Sequence, residues 1–191
     1  AYQRNHSLLI EHFIEHILKS SLSDSQKVEL ILAKSTKGIP AISYAYAENH
    51  KNVTESYLRL ILESKLSEKN KIELALARYD NNKRNSPSIM YAYHENIHEI
   101  VQSYILSILN SQMPCEKKVL LILANDGTGT PAISHAYREE NIKTIEVYIN
   151  LILNSELDEE KKLKLKAQHK MISYQPLNQT PFQILILSQG F

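Results

Sequence analysis

The segment His12-Phe13-Ile14-Glu15-His16 puts two imidazoles and a carboxylate at helical spacing on one face. In some metallopeptidases this H-x-x-E-H arrangement supplies two zinc ligands and a general base. The positions 44 residues further on are Ser56 and Leu60, plain helix residues, and the sequence identifies no third ligand. Histidines of a partly exposed helix are therefore the expectation, and no metal is assigned. Cys115 is the one cysteine, so no disulfide framework exists. It follows Pro114 where a third-helix N-terminus is predicted; that position favours the thiolate, but a nucleophile also needs an adjacent base that spacing does not supply. An incidental thiol is expected. Asp126-Gly127-Thr128-Gly129-Thr130 is glycine-rich and precedes a helix, where backbone amides can cradle phosphate. It lacks the Gly-Lys-Ser/Thr of a P-loop and follows a helix rather than a strand, which predicts an inter-repeat loop. No catalytic residue and no cofactor is assigned, and no enzymatic activity is expected of these residues.

Bulk composition narrows the classes further. The 191 residues carry 22 Lys+Arg against 21 Asp+Glu, and the two signs are interspersed rather than blocked. No basic stretch is present to release counterions from a phosphate backbone, so nucleic acid is not an expected partner. Apolar runs such as Val119 to Ala124, the longest, and Ile184 to Leu187 fall far short of the roughly 20 residues of a membrane helix. A membrane partner is not expected either. A chain of this length can bury roughly two-thirds of its unfolded surface and needs neither metal nor disulfide to fold.

The elements that position these residues repeat. Ala45-Tyr46 recurs as Ala92-Tyr93 and Ala136-Tyr137, and Ile61-Leu62 as Ile108-Leu109 and Ile152-Leu153, giving periods of 47 and then 44 residues. Stepping back by 44 reaches Ala1-Tyr2 and Ile17-Leu18, so the first residue falls inside a unit and further sequence upstream is expected. The three extra residues of the longer period fall in the loop Tyr79 to Ser86. Each unit reads as three helices. The first starts near Pro40, Pro87 or Pro131, because proline's missing N–H costs nothing in a first turn. The second carries Val53, Tyr57, Leu60 and Ile61, an i, i+4, i+7, i+8 stripe. The third follows Ser23, Ser67 or Asp158 as caps, with Gln26 completing a capping box after Ser23. The expected fold is an all-α solenoid, with a truncated first repeat at 1–39, further repeats at 40–86, 87–130 and 131–162, and a C-terminal cap at 163–191.

Pro40-Ala41-Ile42-Ser43-Tyr44-Ala45 and the turn residue His50 resemble the ankyrin first helix and turn histidine. The period exceeds the usual 33 residues, consistent with an added helix over Leu66 to Ala77. Expanded ankyrin-like repeats with Gly-x-Pro-Ala-Ile, an Ala-Tyr pair and Tyr-x-x-x-Ile-Leu are similar to the C-terminal repeat domains of enterobacterial type III secreted effectors, and the chain resembles the Shigella OspC family throughout. That resemblance implies a domain that captures a host inflammatory caspase. An upstream domain would modify the caspase arginine with NAD (ADP-riboxanation), suppressing pyroptosis after type III secretion into the host cytoplasm. Calmodulin would enter only through that upstream domain. The EspL-like cysteine-protease effectors are also similar at repeat level, as the main rival, and imply a scaffold or recruiting role instead.

The partner-contact candidates follow from this reading. The chain has 11 tyrosines against three phenylalanines. Tyr44, Tyr57, Tyr91, Tyr104 and Tyr148 are expected in the core. Tyr46, Tyr93 and Tyr137 are placed on the concave side beside Ala47, His94 and Arg138, because amphipathic aromatics and arginine anchor interfaces. Packing within the repeat is the alternative at the same positions. The loops at Tyr79 to Ser86 and Asn125 to Thr130 offer Tyr79, Asp80, Lys83, Arg84 and Asp126 as variable contacts.

Overall fold

A computed structural model describes residues 2–79 and 85–167. After a 3₁₀ turn at Tyr2–Arg4 come α1 (Ser7–Lys19), α2 (Asp24–Leu32), α3 (Ala41–Ala47), α4 (Lys51–Glu63) and α5 (Glu68–Leu76). A minimal hairpin follows, β1 (Arg78–Tyr79) against β2 (Ser86–Pro87), antiparallel with Arg78 opposite Pro87 and Tyr79 opposite Ser86. The chain continues through α6 (Met90–His94), α7 (His98–Leu109), α8 (Cys115–Leu123), α9 (Ile133–Arg138), α10 (Ile142–Leu153) and α11 (Glu159–Ala167). Among the described residues the fold is all-α, the two-residue strands apart. No helix among the described residues is long and apolar enough to cross a membrane.

The helices stack in three columns, each helix lying against its equivalent in the next unit. The short column is the 3₁₀ turn, α3, α6 and α9; the long column is α1, α4, α7 and α10; the third is α2, α5, α8 and α11. Within a unit the chain visits the columns in that order. Amphipathic faces explain the stacking, since α4 buries Val53, Thr54, Tyr57, Leu58, Ile61 and Leu62 and α7 repeats the pattern with Ile100, Val101, Tyr104, Ile105 and Ile108.

The joints inside each unit are written in the sequence. At the end of each long helix the hydroxyls of Ser20, Ser64, Ser111 and Ser155 donate to the carbonyls of Ile17, Ile61, Ile108 and Ile152, each at 2.7 Å. In the first three units the same hydroxyl accepts the N–H of Leu22, Leu66 or Met113, which turns the chain toward the third helix. Lys27, Lys71 and Lys118 reach back nine residues and donate to Leu18, Leu62 and Leu109 carbonyls at 3.1, 2.9 and 2.7 Å. Each ammonium thus sits at the negative end of a helix dipole with an orphan carbonyl to satisfy. Ser23 and Gln26 form the capping box, Ser67 caps α5, and the Asp158 carboxylate accepts the Lys161 N–H at 2.9 Å.

Two local departures from the sequence reading stand out. The helices of the third and fourth units start later than Pro87 and Pro131: Pro87 is held in β2, and Ser88 and Ala132 donate their N–H to the Leu76 and Leu123 carbonyls before the helices begin. The strands themselves were not foreseen. They form where the middle unit carries three extra residues, because Tyr79 to Ser86 spans the interval that Ser35 to Ile39 and Asp126 to Thr130 close as tight loops, each with a backbone bond between its ends at 2.9 Å. Helix α11 also runs through the expected 162/163 boundary. Residues 168–191 of the expected cap, with its Phe182 to Leu187 helix, lie outside the described residues.

Candidate partner-binding surface

Helices α3 and α6 bury one tyrosine each, and it is the second of the pair. Buried positions on α3 are Ile42, Ala45 and Tyr46, and on α6 Met90, Ala92 and Tyr93. Ile42, Ala45 and Tyr46 are spaced i, i+3, i+4, which places Tyr44 off the buried face. Tyr46 and Tyr93 are wholly inaccessible, so they are core and not partner contacts; Tyr137 is half-buried. Conversely Tyr91 is 41% exposed and Tyr44 half-buried, reversing their expected core placement.

The buried tyrosines join successive units. Tyr2 stacks edge-on against Tyr57, Tyr46 against Tyr104 and Tyr93 against Tyr148, with ring centroids 6.4, 6.5 and 6.3 Å apart. The first ring of each pair comes from a short helix or turn, the second from the long helix of the following unit. Within that following unit the Tyr57, Tyr104 and Tyr148 hydroxyls donate to Leu74, Leu121 and Leu165 carbonyls in the last turn of the third helix, at 2.9, 3.0 and 3.3 Å. The Tyr46 and Tyr93 hydroxyls are equally buried but have no protein partner. Burial drives the phenol pKa of all five far above its usual range.

The other predicted contacts divide. His94 and Arg138 are exposed on the outer side of the short column. The His94 imidazole lies 2.9 Å from Glu95 and 3.8 Å from Glu139, with its ring 6.3 Å from that of His135. Asp126 is a loop organiser rather than a contact, being 6% exposed. Its carboxylate accepts the Thr128 N–H at 2.8 Å, the Thr128 hydroxyl at 2.6 Å and the Thr130 N–H at 2.9 Å. With the Gly129 N–H donating to the Asp126 carbonyl at 3.0 Å and the Asp126 N–H to the Thr130 carbonyl at 2.9 Å, four of the loop's amides are spent internally rather than offered to phosphate. Tyr79 is half-buried in β1. Asp80, Lys83 and Arg84 lie outside the described residues.

The other chemically suggestive residues are dispersed. His12 and His16 face solvent on α1, and Glu15 is engaged by Lys19 at 2.8 Å, a hydrogen bond that holds its carboxyl below the usual range. Among the described residues no three His, Cys, Asp or Glu side chains converge. Cys115 is the exposed first residue of α8.

Sequence reasoning missed a surface that the structure does form. A groove of about 640 Å³ crosses the solvent side of α1, α4 and α7. Its lining repeats by position in successive units: Glu11 and Glu55, Ser56 and Ser103, Arg59 and Leu106, Glu63 and Asn110. Part of the floor is cross-linked between units, since Ser56 donates to Glu11, the Arg59 guanidinium lies 3.5 Å from Glu11, and Ser103 donates to Glu55 at 2.9 Å. Asn52, Ser107, Asn110 and Ser111 add side chains of types that both donate and accept hydrogen bonds, while Leu62 and Leu106 add apolar surface. The available signal was the recurrence of Ser, Asn and Glu along one side of the second-helix stripe. No family model, curated protein or solved structure matches the chain.

Proposed function

We propose that the chain is an expanded ankyrin-like solenoid that binds a protein partner noncovalently, with the groove across α1, α4 and α7 as the receiving surface. The observation that carries this reading is the groove itself: one concavity, contributed to by three successive units and lined by paired donors and acceptors suited to an extended polypeptide. Supporting the ankyrin-like assignment is the recurrent turn between short and long helices, where Asn5, Asn49, Asn96 and Glu140 all take positive φ of 52 to 57°. By its resemblance to the OspC family, the partner is a host inflammatory caspase, met in the host cytoplasm after type III secretion and delivered to an NAD-dependent domain elsewhere in the parent protein. The chain itself contributes capture rather than chemistry in this reading and carries no cofactor.

Calorimetric titration with purified inflammatory caspases, and an apoptotic caspase as control, tests the proposal. Binding at micromolar or tighter dissociation constant, about −8 kcal/mol or better, is expected for inflammatory members alone. Asn52→Arg with Leu106→Arg, two groove positions whose side chains the core does not need, should weaken it at least tenfold without changing the melting midpoint. Absence of binding to every caspase would overturn capture of a caspase and favour the scaffold role implied by the EspL-like resemblance. Binding untouched by the groove pair would move the surface elsewhere.

A further inference from the structure

One face of α1 is apolar where its equivalents are covered. Leu9 is 59% exposed, whereas Val53, Ile100 and Thr144, which occupy the same position in the later units, are at 0%. Phe13 is 44% exposed, whereas the equivalent Tyr57, Tyr104 and Tyr148 are at 2% or less. Leu8, beside them, is 70% exposed and extends the patch at a position that carries Asn52, Glu99 and Lys143 in the other units.

What covers each equivalent is the preceding unit, with a tyrosine ring at all three joints and side-chain hydrogen bonds that differ from joint to joint. Tyr2, Tyr46 and Tyr93 lay their rings against Tyr57, Tyr104 and Tyr148. Asn96 accepts both the hydroxyl and the N–H of Thr144, at 2.8 and 3.3 Å. A long-helix carboxylate of the preceding unit takes the hydroxyl at the position after the valine–isoleucine pair and before the tyrosine: Glu11 takes Ser56, and Glu55 takes Ser103. On α1 the corresponding set is Leu9, His12 and Phe13, the apolar, hydrogen-bonding and aromatic order of Val53, Ser56 and Tyr57 and of Ile100, Ser103 and Tyr104; the fourth unit keeps only the aromatic member, with Thr144, Val147 and Tyr148.

We infer that this face of α1 is the docking surface for one further unit of the same repeat, placed N-terminally on the same polypeptide. That unit would set a short-helix tyrosine on Phe13 and a long-helix carboxylate beside His12. The area is of the kind already used at every internal joint, and stacked repeats gain most of their stability from such nearest-neighbour interfaces.

The test extends the chain in register. Ala1-Tyr2 aligns with Ala45-Tyr46, so a second copy of residues 1–44 placed directly before Ala1 continues the period and brings its own Tyr2 onto the original Phe13. Thermal and urea unfolding of the native and extended chains are compared, each with and without Phe13→Ala at the original position. A single transition is expected, with the midpoint raised by about 5 °C or more, and Phe13→Ala should lower the urea midpoint at least threefold more in the extended chain than in the native one. An unchanged or lowered midpoint, a separate transition for the added unit, or equal losses in both chains would overturn the inference. Sedimentation of the native chain closes the remaining route: a monomer is expected. Self-association abolished by Leu9→Glu would make the face a contact between copies, and the same-chain assignment would fall.

Discussion

Tyr46 and Tyr104 touch edge to ring across one joint, yet deleting their hydroxyls should change stability in opposite directions. Tyr104→Phe removes the donor that satisfies the Leu121 carbonyl at 3.0 Å. That carbonyl belongs to the last turn of α8, where no intrahelical N–H is available, so it would be left buried and unpaired. The cost is about 1–3 kcal/mol. Tyr46→Phe removes a hydroxyl that is fully buried without a protein partner, which returns part of a desolvation cost and should stabilise by about 1 kcal/mol. Phenylalanine keeps both rings and the near-perpendicular 86° packing, so the aromatic contribution is constant across the pair. Urea unfolding followed by far-UV circular dichroism measures the difference. The midpoints should move apart while the slopes stay equal, and the two melting temperatures should separate by roughly 2–4 °C for each kcal/mol. Since the two rings are in contact, the departure of the double variant from the sum of the singles measures their coupling. A Tyr46→Phe variant less stable than the parent by more than about 0.5 kcal/mol would refute the reasoning, because its hydroxyl would then be contributing a bond.

Ala33 ends α2 in the left-handed region at φ 40° on an exposed position, so Ala33→Gly should relieve backbone strain without uncovering apolar surface and stabilise by about 0.5–1 kcal/mol; a lower urea midpoint would count against it. Alkali should unfold the protein through its core tyrosines. Burial raises the folded-state pKa of Tyr46, Tyr57, Tyr93, Tyr104 and Tyr148, so below the unfolded value of about 10 both states keep the protons and stability is untouched. Above it the unfolded chain releases them while the folded core does not, and stability falls as pH rises. The tyrosinate absorbance of these five should therefore appear together with loss of helix; their titration in a chain that stays helical would contradict the burial.

The repeat was legible because its joints are made by local chemistry. Ser67 caps within three residues of its partner and so announces where the third helix begins, and in the structure Ser64 and Lys71 close the same joint within about ten residues. The inward side of a five- to seven-residue helix was harder to read. Tyr44 and Tyr46 are both aromatic, and only the partnership with Ile42 and Ala45 at i, i+3, i+4 selects Tyr46, a signal that was present and was outweighed by analogy. Asp126 misled for a different reason: a carboxylate in a glycine-rich loop looks available until its three donors, all within four residues, are counted. The groove left only the recurrence of Ser, Asn and Glu beside the second-helix stripe, which does not by itself announce a concavity. It arises from helices 44 to 47 residues apart lying side by side, so its lining residues are neighbours only after stacking.

The hairpin at Arg78–Tyr79 and Ser86–Pro87 separates two lengths that an array ordinarily keeps equal. The chain travels 47 residues from Ala45 to Ala92 and 44 from Ala92 to Ala136, yet α4 lies on α7 as α7 lies on α10. Contour length along this edge is therefore free to grow while the pitch of the stack stays put, provided the inserted segment is closed at its base. Here the ladder between the two strands and the Arg78 guanidinium on the Asn85 carbonyl at 2.7 Å supply that closure. The loops at 35–39 and 126–130 close on themselves in the same interval of their own units. The three form a row of splice points at which foreign sequence can be carried, one unit apart, on a frame whose spacing is set by the helices alone.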